Sequence, residues 1–132
     1  MQVNGLRKLR IYQVALEGVR TIYTVTRENS LSRDFSLADQ IRRAAMSVVA
    51  NIAEGYGRGT TKDFANFISI AMGSSNEVIA FLDIIERLYP KIPTNGVREY
   101  YESLGRQLNA FRRSLRDQIK QKANSQKPIA NS

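Results

Sequence analysis

The sequence predicts an all-α protein, an antiparallel up-down-up-down four-helix bundle. Three observations predict it. Apolar residues recur at steps of three and four along four long segments, short stretches of Gly, Pro and polar residues separate those segments, and no stretch alternates apolar and polar residues as a half-buried strand would. The 132 residues suit one domain, expected as a bundle over residues 1–122 and a flexible polar tail over 123–132 that contains Pro128.

The first helix is expected from about Leu6 to Asn29. Leu9, Tyr12, Leu16, Val19, Tyr23 and Thr26 trace its inward stripe, and Gly18 is a mild interior cost. The polar stretch from Asn29 to Phe35 breaks the period. Ser36 with Asp39 three residues on resembles a capping box, which opens a second helix through Glu54 with Ile41, Ala44, Ala45, Val48 and Ile52 on one side. Gly55 then stands where a left-handed residue would stop the helix. Thr60 with Asp63 repeats the capping signature. A third helix follows through Phe64, Phe67, Ile68, Ala71, Ser75, Val78, Ile79, Leu82, Ile85 and Tyr89, and Pro90 terminates it. Pro93, Asn95 and Gly96 make the last turn. Val97, Tyr101, Leu104, Leu108, Phe111 and Leu115 then alternate steps of four and three, a coiled-coil-like seam on a fourth helix reaching about Lys122.

Composition narrows the function. Twenty Lys and Arg against twelve Asp and Glu give a net charge of +8 and a pI near 10.1, which favours polyanionic partners: RNA, DNA or an anionic membrane. A soluble basic protein without such a partner is the alternative. Cysteine and histidine are both absent. That removes disulfides, thiolate nucleophiles and Cys-based metal sites, and with them Ser-His hydrolases, zinc enzymes and di-iron bundles built on Glu-x-x-His. No catalytic residue, metal or cofactor is therefore expected. Charges interrupt the N-terminal segment where a secretory signal has its apolar core, and no run of about twenty uninterrupted apolar residues occurs, so the expectation is a cytoplasmic protein with no membrane partner.

The middle helices carry more apolar surface than one core stripe needs. Ile70, Gly73, Ala80, Phe81, Ile84 and Leu88 lie opposite the stripe of the third helix, and Met46, Ser47 and Ala50 lie behind that of the second. Met46, Ala50, Ile70, Gly73, Phe81, Ile84 and Leu88 are read as an interface between copies, against the alternative of scattered exposed hydrophobes.

Several polar groups are candidates for function. Arg42 and Arg43 offer paired donors to phosphate oxygens, and ion pairing with Asp39, Glu54 or a neighbouring subunit fits them equally well. The turn holding Gly55, Gly57, Arg58 and Gly59 lacks the Gly-Lys-Ser/Thr ending of a nucleotide-binding loop and reads better as a helix connector. Asn51, Glu54, Ser74 and Glu77 are expected to form a partly buried polar network, with a carboxylate pair for acid-base work as the sharper alternative. On the fourth helix Arg106, Arg112, Arg113, Arg116, Lys120 and Lys122 follow Glu102 with only Asp117 among them, so one end of the bundle becomes strongly positive. Nucleic-acid binding and a solvated helix face both fit that pattern. Most aromatic residues fall on core positions, so contact is expected through phosphates and shape rather than base stacking.

The strings Gln-Ile-Arg-Arg-Ala-Ala from Gln40, Asn-Ile-Ala-Glu-Gly from Asn51 and Ile-Ala-x-Gly-Ser-x-x-Glu from Ile70 resemble those of the 23S rRNA intervening-sequence protein family, also called four helix bundle proteins. The resemblance implies a non-catalytic, cytoplasmic, bacterial four-helix bundle that assembles into a ring-like homopentamer. Relatives of the family act as accessory proteins of diversity-generating retroelements, where they bind a reverse transcriptase and nucleic acid. By that likeness Arg42, Arg43 and Arg58 are the motif positions tied to polyanion binding, while Asn51, Glu54 and Glu77 are structural. The leading expectation is a homo-oligomer that binds RNA or other nucleic acid, and the second is a protein-binding adaptor.

Overall fold

The computed structural model describes residues 3–126, and 127–132 of the expected tail lie outside that range. Six helices follow one another: α1 (Val3–Lys8), α2 (Arg10–Thr26), α3 (Asn29–Arg33), α4 (Phe35–Gly57), α5 (Thr61–Leu88) and α6 (Asn95–Ser125), with no strand among the described residues. The four long helices close a square in which α2 packs on α4 and α6, and α5 packs on the same two. Contacts fix the directions. Ser75 Oγ donates to the Tyr101 carbonyl at 3.5 Å and Arg112 Nη1 to Ser69 Oγ at 3.0 Å, so α6 descends as α5 rises. The serine hydroxyls of Ser47 and Ser74 meet at 2.8 Å where α4 crosses α5, and Gly55 further along α4 lies against Phe64 and Phe67 earlier in α5, again antiparallel. The expected up-down-up-down bundle is the architecture observed.

The helix boundaries show where local chemistry outweighed periodicity. The first predicted helix is broken at Leu9, whose extended backbone (φ −69°, ψ 126°) leaves carbonyls unpaired, and Gln13 Nε2 satisfies one by donating to the Arg7 carbonyl at 2.9 Å. It ends at Thr26 rather than Asn29. The hydroxyls of Thr21, Thr24 and Thr26 donate to carbonyls of the preceding turn at 2.7, 3.0 and 2.8 Å, in a β-branched stretch of lowered helix propensity. The stretch expected to be irregular forms the single turn α3. Asp34, not Ser36, caps α4: its Oδ1 accepts from the Leu37 amide at 3.2 Å while its Oδ2 accepts from the Tyr89 hydroxyl at 2.7 Å. A carboxylate one turn earlier, already tied to α5, takes the role. Thr60 caps α5 as its sequence indicates, accepting from the Asp63 amide at 3.1 Å. The fourth long helix runs to Ser125, three residues past the predicted end.

Gly55 does not stop its helix. It is helical and buried, and α4 continues to Gly57; the left-handed residue is Gly59, with φ 89°. A Cβ on Gly55 would lie 2.7 Å from Phe67 Cβ and 3.0 Å from Phe64 Cδ1, so the glycine is there to let α5 approach.

The inward stripe of α2 also differs from the expected one. Ile11, Ala15, Gly18, Ile22, Val25 and, as expected, Thr26 are buried, while Leu16 is 46% exposed and Tyr12, Val19 and Tyr23 are half-buried. The two stripes adjoin and both are apolar, so period alone does not choose between them. Gly18 decides. Its missing side chain admits Tyr101 of α6, whose hydroxyl oxygen would be 2.7 Å from a Cβ there. Tyr101 is fully buried, its hydroxyl has no hydrogen-bond partner among the described residues, and burial pushes its phenol well above the usual range. Tyr101→Phe removes an unsatisfied buried hydroxyl and is expected to raise stability by about 1 kcal/mol, read as a higher urea midpoint; a comparable loss would mean that the hydroxyl has a partner.

The stripes of α4 and α5 and the seam of α6 are otherwise close to expectation. Ile41, Ala44, Ala45, Val48 and Ile52 meet Phe64, Ile68, Ala71, Val78, Leu82 and Ile85, and Tyr101, Leu104, Leu108 and Leu115 close the core. Val97 and Phe111 of the seam are half-buried. By length and composition α5 is apolar enough to cross a membrane, with a mean hydropathy of 1.4 over its most apolar window. Its packing between α4 and α6 accounts for one part of that composition, and the rest lies on an outward side where Ile70, Ile84 and Leu88 are exposed.

Candidate nucleic-acid interface

Antiparallel packing sorts the charges by pole. One pole is made by α1, the start of α2, the end of α4, the start of α5 and the end of α6. It gathers Arg7, Lys8, Arg10, Arg58, Lys62, Arg112, Arg113, Arg116, Lys120 and Lys122 against Glu54, Asp63 and Asp117. Toward the opposite pole Arg20, Arg27, Arg33, Arg42, Arg43, Arg87, Lys91 and Arg98 are offset by Glu17, Glu28, Asp34, Asp39, Glu77, Asp83, Glu86, Glu99 and Glu102. The molecule's excess positive charge therefore sits at one end. Cations Arg7, Lys8, Arg10 and Lys62 escaped the sequence reading because they join α6 only through the antiparallel topology; tracing each helix direction along the sequence would have found them.

Partners divide the cations singled out from sequence into two groups. Arg42 is half-buried, its Nε donating to Thr26 Oγ1 at 2.9 Å and its guanidinium 4.3 Å from the Tyr23 ring centroid. Arg43 is exposed and donates to Asp39 Oδ2 at 2.7 Å, a hydrogen bond that raises its pKa further. Arg58 donates to Glu54 Oε1 at 3.1 Å and lies 4.9 Å from the Phe67 ring centroid. Arg112 donates to Ser69 Oγ and to Asn109 Oδ1 at 3.0 and 3.1 Å, spanning the α5–α6 seam. Arg106, Arg113, Arg116 and Lys120 are exposed and hold no hydrogen bond or ion pair among the described residues.

Those four share the outer side of α6. With the core seam at Tyr101, Leu104, Leu108 and Leu115, the positions pointing farthest from the bundle are Arg106, Arg113 and Lys120, at seven-residue steps, and Arg116 lies on the adjoining row. A helical rise of about 1.5 Å per residue spaces the three by roughly 10 Å. Beside the end of α6, Lys62 and Lys122 flank a groove of about 420 Å³ between that helix and the start of α5.

The polar residues between α4 and α5 do not form one network. Asn51 Nδ2 donates to the Ser47 carbonyl at 2.8 Å and to Ser47 Oγ at 3.0 Å, and Ser47 meets Ser74, whereas Glu54 is taken by Arg58 and Glu77 is exposed. Ser47, assigned by its spacing to the outer face, is the link that spacing did not show.

Across the same two helices runs an apolar outer face. Ile70 is 51% exposed and Leu88 57% exposed, with Met46 and Ile84 only slightly less so. Ala50 and Gly73 are exposed beside them, and Phe81 is half-buried against the core. The α4–α5 side lies across the square from α2 and α6, so the apolar face and the cation row do not overlap.

The fold and these two faces define a class: an all-helical bundle of four main helices, charged at one pole and apolar along one side. The chain belongs to the 23S rRNA-intervening sequence protein family, whose sequence model matches residues 7–116. A comparison with curated proteins finds no match.

Proposed function

We propose that this protein is a non-catalytic, cytoplasmic homo-oligomer that binds RNA or other nucleic acid through the cation row of α6 and the pole around it. The observation that carries the reading is that Arg106, Arg113, Arg116 and Lys120 are exposed and uncommitted, the last three at the pole where acids are fewest. Exposed cations without partners are the groups that gain most from phosphates, since no internal ion pair has to be broken. The lack of histidine and cysteine, and the engagement of Glu54 by Arg58, support a binding role over catalysis. The test is fluorescence anisotropy with labelled RNA across a salt series. Measurable affinity at low salt that falls steeply with added salt supports the reading, and no affinity at low salt contradicts it.

Self-association would multiply the basic surface, and the family resemblance implies a pentamer. Ile70 and Ile84 are central to the exposed apolar face, so Ile70→Asp with Ile84→Asp is expected to reduce a multimer of 14.9 kDa subunits to monomer in light scattering at micromolar concentration. A wild-type protein already monomeric there would remove the oligomer from the account.

A second reading, a protein-binding adaptor whose partner is a reverse transcriptase, draws support from Phe35. It is 79% exposed at the start of α4, at the pole away from the α6 cation row, where an aromatic anchor suits a protein partner. An adaptor alone would show no appreciable nucleic-acid affinity at low salt.

A further inference from the structure

We infer that the ligand of the α6 cation row is the phosphate backbone of a duplex, RNA or DNA, rather than a single strand. The inference rests on the nucleic-acid reading proposed above. Two independent observations carry it: the geometry of the row, and where the aromatic side chains are held.

From Arg106 through Arg113 to Lys120 the row is about 21 Å long and follows one helix, anchored along its inner side as far as Leu115 by Leu104, Leu108 and Leu115, with Ile119 half-buried beyond. A duplex offers a stiff, continuous run of charge, one for about every 1.7 Å of its axis, so roughly a dozen phosphates fall within the row's length and those on the near side meet it without the chain having to be straightened. An extended single strand offers about half as many, and it loses conformational freedom when it is straightened along a helix.

Single-strand binders make up that deficit by stacking bases on aromatic rings, worth roughly ten- to a hundredfold in affinity per base. This protein holds its rings elsewhere. At the basic pole Phe64 is buried, edge-on to Tyr56 and Phe111, and Phe67 lies under Arg58. Phe35 is the aromatic residue that stands clear of the surface, and it belongs to the opposite pole. The row thus offers cations to phosphates and has no stacking platform next to it.

The test uses the full chain and fluorescence anisotropy on four labelled probes. These are an RNA duplex and a DNA duplex of about twenty base pairs, long enough to cover the row, with oligo-U and oligo-dT of the same length. At low salt both duplexes are expected to bind about tenfold or more tightly than either single strand, and a preference between them identifies the natural source of the phosphates. Arg113→Gln with Arg116→Gln should weaken duplex binding at least tenfold, with circular dichroism confirming an intact helical fold. Equal or tighter binding of the single strands overturns the duplex inference and leaves the nucleic-acid reading standing. Failure of all four probes to bind overturns both.

Discussion

Exchanging Arg106, Arg113, Arg116 and Lys120 for glutamine is expected to abolish most nucleic-acid affinity and to flatten its salt dependence. Each cation that neutralises a phosphate releases counterions, so four contacts contribute roughly −3 to −4 to the slope of log affinity against log salt. The wild-type protein should therefore lose about a hundredfold in affinity between 50 and 200 mM salt for each copy engaged, and the quadruple variant far less. Removing exposed, unpaired charges costs the fold little, because surface positions of this kind seldom carry stability. Arg42→Gln is the contrasting variant. Its guanidinium is held between Thr26 and the Tyr23 ring, so its loss should lower stability more than affinity. Anisotropy across a salt series checks the affinities and urea unfolding checks the stability. A quadruple variant that keeps both the affinity and the slope of the wild type would show that these side chains do not touch phosphate.

Two glycine-to-alanine substitutions should change stability in opposite directions. At Gly55 the new methyl would meet Phe67 Cβ at 2.7 Å and the Phe64 backbone Cα at 3.4 Å, atoms close to the main chain that cannot swing aside. Relief requires α4 and α5 to separate, at a cost of about 1–3 kcal/mol that exceeds the gain of up to about 1 kcal/mol in helix propensity. A larger residue such as leucine should prevent native packing of this corner. At Gly105 a Cβ would meet nothing within 4 Å, so the propensity gain stands alone and Gly105→Ala should stabilise by about 0.5–1 kcal/mol. Urea midpoints of the two variants against wild type decide the matter. A Gly55→Ala protein at least as stable as wild type would mean that the α4–α5 crossing is looser than described.

Gly55 also shows how far the sequence could be read. The fold class was legible because the periodic segments are long, and the cap at Thr60 and the seam from Tyr101 to Leu115 followed from residue type and spacing alone. What stayed hidden depends on a second helix. Gly55 and Gly18 resemble a stop signal and a defect until Phe67 and Tyr101 are brought against them. Ser36 looks like a cap until Asp34 is found fixed by Tyr89, forward along the chain yet adjacent in space.

The candidate site divides the same way. Spacing identified the α6 cations, because their outward direction follows from the seam. It could not separate Arg42 and Arg112, whose partners Thr26 and Ser69 lie on other helices and leave no periodic signal, from Arg113, Arg116 and Lys120; the Arg58–Glu54 pair, four residues apart, is within reach of spacing. The contributions of Arg7, Lys8, Arg10 and Lys62 to the same pole become visible only when antiparallel packing brings four chain segments to one end. The apolar face of α4 and α5 was legible as surplus hydrophobicity, and Ile70 and Leu88 are exposed on it.

The central claim is that one pole of the bundle, led by the outer row of α6, is the surface that meets nucleic acid. Crosslinking a bound RNA duplex to the intact protein and mapping the adducts by mass spectrometry tests it most directly. The account predicts adducts on residues 106–122 and around 58–62. Adducts centred on residues 27–39 or along the apolar face at 70–88 would contradict it.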